Sequence, residues 1–128
     1  MKCLLDTHAM VWFWLDDPHL SSSALKIIGD PRNSILISPA SYWELAIKIS
    51  LGKYQLPVPY ESFFQEQLSR TDFDVLPIAL RHTAALIAMP FHHRDPFDRL
   101  IVAQAQVEAL PLVSNDPFLD RYGIERVW

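Results

Sequence analysis

Four acids in this chain stand where acids do chemistry. Asp6 follows the apolar run Cys3-Leu4-Leu5, and Asp116 follows Leu112-Val113-Ser114-Asn115. Glu44 lies in the second turn after Ser38-Pro39, and Asp98 in the first turn after Asp95-Pro96. Taken singly, each has an ordinary role. Asp6 and Asp116 suit the N-caps of whatever helices follow, Asp95 is an N-cap, and Asp98 favours a helix dipole. Taken together they would repel one another, and at least one would hold a proton unless a cation joined them. A hard divalent ion such as Mg²⁺ suits such a set and leaves positions open for phosphate oxygens. It would activate water and offset charge that develops at a phosphodiester. The five histidines do not suggest zinc. No HExxH pattern occurs, and the adjacent His92 and His93 cannot share a helical face. They read as polar loop residues, and His8, His19 and His82 as structural ones.

The elements that would position these acids are legible from apolar runs and proline punctuation. Short strands are expected at Lys2 to Asp6, Ser34 to Ile37, Phe73 to Leu76, Leu112-Val113 and Ile124 to Val127. Helices are expected over His8 to Leu15, Ser21 to Ile28, Pro39 to about Leu51, Tyr60 to Arg70, Arg81 to Met89 and Asp95-Pro96 to about Ala109. Asp116 to Arg121 reads as one helical turn. Serine caps Ser21 and Ser38 open two of these helices, and Gly52 closes one. Strands alternating with helices predict an α/β fold with a mainly parallel sheet covered on both faces. In such sheets ligands bind beyond the carboxyl ends of the strands, where Asp6 and Asp116 fall.

The helix after Pro39 bears on Glu44. Tyr42, Trp43, Leu45, Ala46, Ile47, Ile49 and Leu51 are apolar, while Ser41, Glu44 and Lys48 make one narrow polar stripe. A helix this apolar is expected to be largely buried. Glu44 and Lys48 are then either an exposed pair worth roughly 0.2–0.5 kcal/mol or part of a site.

Composition narrows the classes. With 128 residues, 50% of them hydrophobic and 20% charged, the chain is one folded domain and not a disordered segment. The single cysteine, Cys3, excludes an intramolecular disulfide framework and a Cys-rich zinc site. No apolar run reaches membrane-spanning length. The run Ala9 to Leu15 lacks a basic leader and a small-residue cleavage site, so a cytoplasmic protein is expected. Fifteen acids against 11 bases give a net charge of −4, unlike the basic footprint of a simple nucleic-acid binder.

Four segments, in order, resemble the PIN-domain family, and more narrowly its VapC-type toxins. They are Leu4-Leu5-Asp6-Thr7-His8, Ser41-Tyr42-Trp43-Glu44-Leu45-Ala46-Ile47-Lys48, His93-Arg94-Asp95-Pro96-Phe97-Asp98-Arg99-Leu100 and Leu112-Val113-Ser114-Asn115-Asp116. The resemblance covers nearly the whole chain. It implies a single domain over residues 1–128, a PIN-like three-layer α/β/α sandwich with a mainly parallel central sheet. It implies an endoribonuclease dependent on Mg²⁺ or Mn²⁺, homodimeric and silenced by an antitoxin protein, with Asp6, Glu44, Asp98 and Asp116 as metal ligands. By position, Asp95 is the cap beside the site, and Ser114 and Asn115 belong to the metal-site segment. Lys48 and Arg94 or Arg99 are the candidates for phosphate contact. Of the aromatic residues Trp12, Phe13, Trp14, Trp43 and Phe64, most are expected in the core and some in a partner groove. Rival readings are a nuclease acting on DNA, a phosphatase, and a non-enzymatic interaction module. A haloacid-type phosphatase would place a second Asp where His8 stands, which disfavours it.

Overall fold

A computed structural model describes residues 1–128. Five strands form one sheet: β1 (Lys2–Leu5), β2 (Ser34–Ile37), β3 (Asp74–Val75), β4 (Leu112–Val113) and β5 (Arg126–Val127). Their spatial order is β3-β2-β1-β4-β5. Every pairing is parallel, so the sheet is wholly and not merely mainly parallel. Six α-helices complete the chain: α1 (Thr7–Trp14), α2 (Ser22–Gly29), α3 (Pro39–Ser50), α4 (Tyr60–Arg70), α5 (Leu80–Ala88) and α6 (Pro96–Glu108). No helix is long and apolar enough to cross a membrane.

Alternation along the strands builds two cores. Cys3, Leu5, Ile35, Ile37 and Val113 face one way, against Met10 and Trp14 of α1, Ile28 of α2, Leu45 of α3 and Phe63 and Phe64 of α4. Leu4, Leu36 and Leu112 face the other way, against Ala40 of α3 and Ile101, Val102 and Ala105 of α6. Strands buried on both faces need continuous apolar runs, and β1 and β2 supply them. The result is three layers. Trp14 and Phe64 lie in the first core, Trp12 and Phe13 are half-buried, and Trp43 is the one member of the expected aromatic set that is 61% exposed.

Several boundaries differ from expectation. The outer strands β3 and β5 have two residues each, where four were expected, because an edge strand is held from one side only. Helix α1 begins at Thr7, one residue early, since Asp6 is its cap. The turn after Asp116 is a 3-10 helix over Pro117–Tyr122. Helix α6 ends at Glu108, within a residue of expectation, and its C-cap Ala109 takes a left-handed conformation with φ 52° where glycine is usual.

Helices α5 and α6 are joined through a buried histidine. The Nδ1 of His82 accepts the Ala79 N–H at 2.9 Å, capping α5, and its Nε2 donates to Glu108 Oε1 at 2.9 Å on α6. Arg81 binds the same carboxylate. Because Nδ1 is already an acceptor, the neutral ring carries its proton on Nε2. His82→Ala removes a cap and leaves a void in a fully buried position. It is expected to lower the unfolding free energy by about 1–3 kcal/mol in urea melts, whereas exposed His19→Ala should stay within about 0.5 kcal/mol.

Candidate active site

The sheet order reverses beside β1: β2 and β3 lie on one side of it, β4 and β5 on the other. This is a topological switch point, where the crevice beyond the carboxyl ends of an open parallel sheet opens. Asp6 leaves β1 there, its backbone N–H held by Val113 O at 3.1 Å. Asp116 leaves β4 three residues after Val113. The N-terminal ends of α3 and α6 bring Glu44 and Asp98 to the same place.

Asp6 and Asp116 each divide their carboxylate between two tasks. One oxygen of Asp6 accepts the Ala9 N–H at 2.8 Å and caps α1. One oxygen of Asp116 accepts the Phe118 N–H at 3.0 Å and caps the 3-10 helix. The cap fixes the side chain's direction and uses only one of its two oxygens. Asp95 takes the capping duty on α6, accepting the N–H groups of Phe97 and Asp98 at 2.8 and 3.1 Å. Asp98 is thereby free of any cap. Ser114 is fully buried, and its Oγ accepts the Asp116 N–H at 3.1 Å, while Asn115 is exposed beside it.

Glu44 is 3% exposed and both of its oxygens are engaged. Thr7 Oγ1 donates to Oε1 at 2.6 Å, and Lys48 Nζ donates to Oε2 at 2.7 Å. A hydroxyl has one proton, so the 2.9 Å contact of Thr7 Oγ1 with Ser41 Oγ has Ser41 as donor. The polar stripe of α3 is therefore its inward face at Ser41 and Glu44, while Trp43 and Ala46 are exposed. The expectation of a largely buried apolar helix is reversed at these positions. Trp43 stands outside, edge-on to Phe97 at 5.1 Å. Lys48 is committed to Glu44.

The carboxylates act on one another. Asp98 is pushed up to about 8, first by burial and then by the charges of Asp95, Asp6, Glu44 and Asp116. Asp6 is also raised, chiefly by burial and in small part by Glu44. The Ser114 hydroxyl, the Ala9 N–H and His8 oppose that rise. Four acids from four elements thus share one electrostatic neighbourhood. The donor set is hard oxygen at high negative charge density, which fits a divalent cation of the Mg²⁺ type.

Two residues depart from their expected roles. Arg99 is buried, donates to Pro90 O at 2.9 Å and Met89 O at 3.3 Å, and lies over the Phe91 ring at 4.0 Å. It ties the end of α5 to α6 and is not the phosphate contact expected of it. Arg94 remains exposed. His93, read from sequence as a polar loop residue, stands inside the cluster. Its Nε2 is 3.1 Å from Asp116 Oδ2 and 3.5 Å from Asp98 Oδ2. Thr7 was likewise given no role, although it follows Asp6 directly. The available signal is adjacency to Asp6 for Thr7, and for His93 a place in the same motif two residues before Asp95.

The comparisons with known proteins agree with this architecture. The PIN domain family model matches residues 3–125. Ribonuclease VapC16 of Mycobacterium tuberculosis (strain ATCC 25618 / H37Rv) is 39% identical over 71 residues, 52% of this chain and 50% of that protein, so the match spans half the relative's length. Ribonuclease VapC22 of the same organism is 28% identical over 113 residues, 88% of this chain and 85% of that protein. VapBC2 from Rickettsia felis, solved bound to a DNA fragment from its promoter, superposes with a TM-score of 0.73 at 20% identity, covering 99% of this chain and 98% of that one. VapBC-1 from nontypeable Haemophilus influenzae superposes at 0.67 with 19% identity, covering 99% and 97%. Those likenesses carry the fold, and the family match spans almost all of it: the chain belongs to the PIN-domain family.

Proposed function

We propose that this chain is an endoribonuclease dependent on Mg²⁺ or Mn²⁺, the toxin of a toxin–antitoxin pair. The observation that carries the reading is the meeting of Asp6, Glu44, Asp98 and Asp116 at the switch point of the sheet. Two relatives bearing the name ribonuclease support the activity. Structural neighbours described as toxin–antitoxin complexes support the partner. The four acids would hold the cation. When bound there, it supplies a Lewis acid that makes water a better nucleophile and offsets charge on a phosphodiester.

The remaining work belongs to the chain's own side chains. The caps made by Asp6 and Asp116 hold their free oxygens in fixed directions. Thr7, itself fixed by Ser41, and Lys48 orient Glu44 from opposite sides. Ser114 braces Asp116 and eases the burial of Asp6. Asn115 and Arg94 are both exposed, which leaves them available to a substrate backbone.

Partners follow from the surface. Leu80 and Ile87 are 88% exposed, and Ala84 between them lies on the same face of α5. Phe91, 83% exposed, lies just beyond the helix. That face suits a second copy of the chain in a homodimer, and Trp43 offers a further aromatic contact for the antitoxin. Such a ribonuclease works in the cytoplasm.

The first test is cleavage of RNA with Mg²⁺, with Mn²⁺ and with EDTA, beside Asp98→Asn purified identically. The expected result is a loss of roughly 100-fold or more in the variant and in EDTA. Parent-like, cation-dependent cleavage by Asp98→Asn would sink the assignment.

A second test uses the proton on Asp98. In the metal-free fold Asp98 keeps its proton up to about pH 8, whereas an unfolded chain releases it near ~3.9. Between those values the unfolded state binds fewer protons, so rising pH weakens the fold. A cation takes the place of that proton, and its affinity grows as the pH approaches 8. The gain in melting temperature from saturating Mg²⁺ is therefore expected to be larger at pH 8 than at pH 6. Asp98→Asn should flatten the difference. Equal gains for the parent at both pH values would disprove the coupling.

A further inference from the structure

His93 Nε2 and the carboxylate oxygens of Asp98 and Asp116 lie within 4.8 Å of one another. On distance alone this trio reads as a metal centre with one imidazole and two carboxylate ligands. An imidazole ligand would tilt the site toward zinc and later transition metals and away from Mg²⁺.

The hydrogen bonds on the ring contradict that reading. His93 Nδ1 accepts the backbone N–H of Asp95 at 3.0 Å. A backbone N–H can only donate, so the Nδ1 lone pair is occupied and the neutral ring carries its proton on Nε2. That proton faces Asp116 Oδ2 at 3.1 Å, with Asp98 Oδ2 next at 3.5 Å. For Nε2 to ligate a cation, its proton would have to move to Nδ1. Nδ1–H would then meet the Asp95 N–H head on, two donors without an acceptor.

The loop has little freedom to relieve such a clash. The His93 N–H donates to Tyr122 Oη at 2.9 Å, and the His92 ring packs edge-on against the Tyr122 ring at 5.1 Å. Asp95 is fixed in turn by capping α6. The chain uses the same device where there is no carboxylate cluster. His82 takes a backbone N–H on Nδ1 and donates Nε2–H to Glu108. In both places a backbone amide sets the tautomer and the far nitrogen holds a carboxylate.

Resting on the metal-binding reading above, we infer that His93 is a positioning residue. It is a neutral Nε2–H donor that holds Asp116, with Asp98 beside it, in place for the cation and does not ligate it. The ligand set is then oxygen alone, which keeps the site hard and favours Mg²⁺ and Mn²⁺.

Histidine-labelled protein tests the tautomer directly. Two-bond ¹H–¹⁵N correlation spectra of the full chain are recorded metal-free and with saturating Mg²⁺. His93 is expected to show a bare Nδ1 and a protonated Nε2 in both. A protonated Nδ1 without metal, or loss of the Nε2 proton on adding Mg²⁺, overturns the inference. The second arm follows Mn²⁺ binding by electron paramagnetic resonance for His93→Gln, whose amide keeps an N–H donor at similar reach, and for His93→Ala. Alanine is expected to weaken Mn²⁺ about tenfold and glutamine by no more than about threefold, as expected for a residue supporting the ligands. Equal losses in both, or no loss in either, overturn it as well. A parent that binds no Mn²⁺ removes the metal reading of the site, while the metal-free spectrum still decides the role of His93.

Discussion

Everything at the functional end of this molecule is organised around mutual repulsion among carboxylates. Asp6 and Asp116 stand at the ends of neighbouring strands, and Glu44 and Asp98 are brought in by helices from either side. No packing force gathers four acids. The sheet does so, because β1 and β4 are paired in fixed register and both strands are buried on both faces. The apolar cores thus supply the energy that holds like charges together, and Asp98 is pushed up to about 8, first by burial and then by the neighbouring acids. A stable core and a strained charge cluster are two sides of one construction.

The fold limits that repulsion by giving each acid a second task. Asp6 and Asp116 are helix caps with one oxygen left over, and Asp95 caps α6 so that Asp98 need not. Glu44 is compensated by Lys48 and Thr7. Capping and ligand roles look like rivals when a lone Asp is read in a sequence. Under the proposed function they coexist in one side chain, because a cap uses a single carboxylate oxygen.

The architecture was legible for a physical reason: strands buried on both faces must be short apolar runs, and proline and serine mark where the helices open. All five strands and six helices follow from those signals, with errors confined to edges and ends. The acid cluster was legible as positions, since strand ends and helix starts can be read from the same punctuation. Direction is less legible: the apolar majority on α3 leaves its polar stripe open between a solvent edge and a site, and only the folded chain turns Ser41 and Glu44 toward Thr7. His93 was missed because the test applied to it was helical spacing. It sits in a loop, where a one-residue turn back to the Asp95 N–H sets its direction. Arg99 was assigned by charge alone, and charge does not report that carbonyls at the end of α5 and the Phe91 ring already enclose it.

The net charge of −4 follows the same logic. Setting aside Asp6, Glu44, Asp98 and Asp116 leaves acids and bases equal in number. Four of the 11 bases are paired with a carboxylate through hydrogen bonds: Arg32 with Asp30, Arg81 with Glu108, Arg126 with Asp120 and Lys48 with Glu44. For a polyanion to approach four clustered acids, their charge must first be reversed locally, and a divalent cation is what reverses it. Attraction and catalysis would then depend on the same ion, and the apo surface would repel the substrate that the loaded surface accepts.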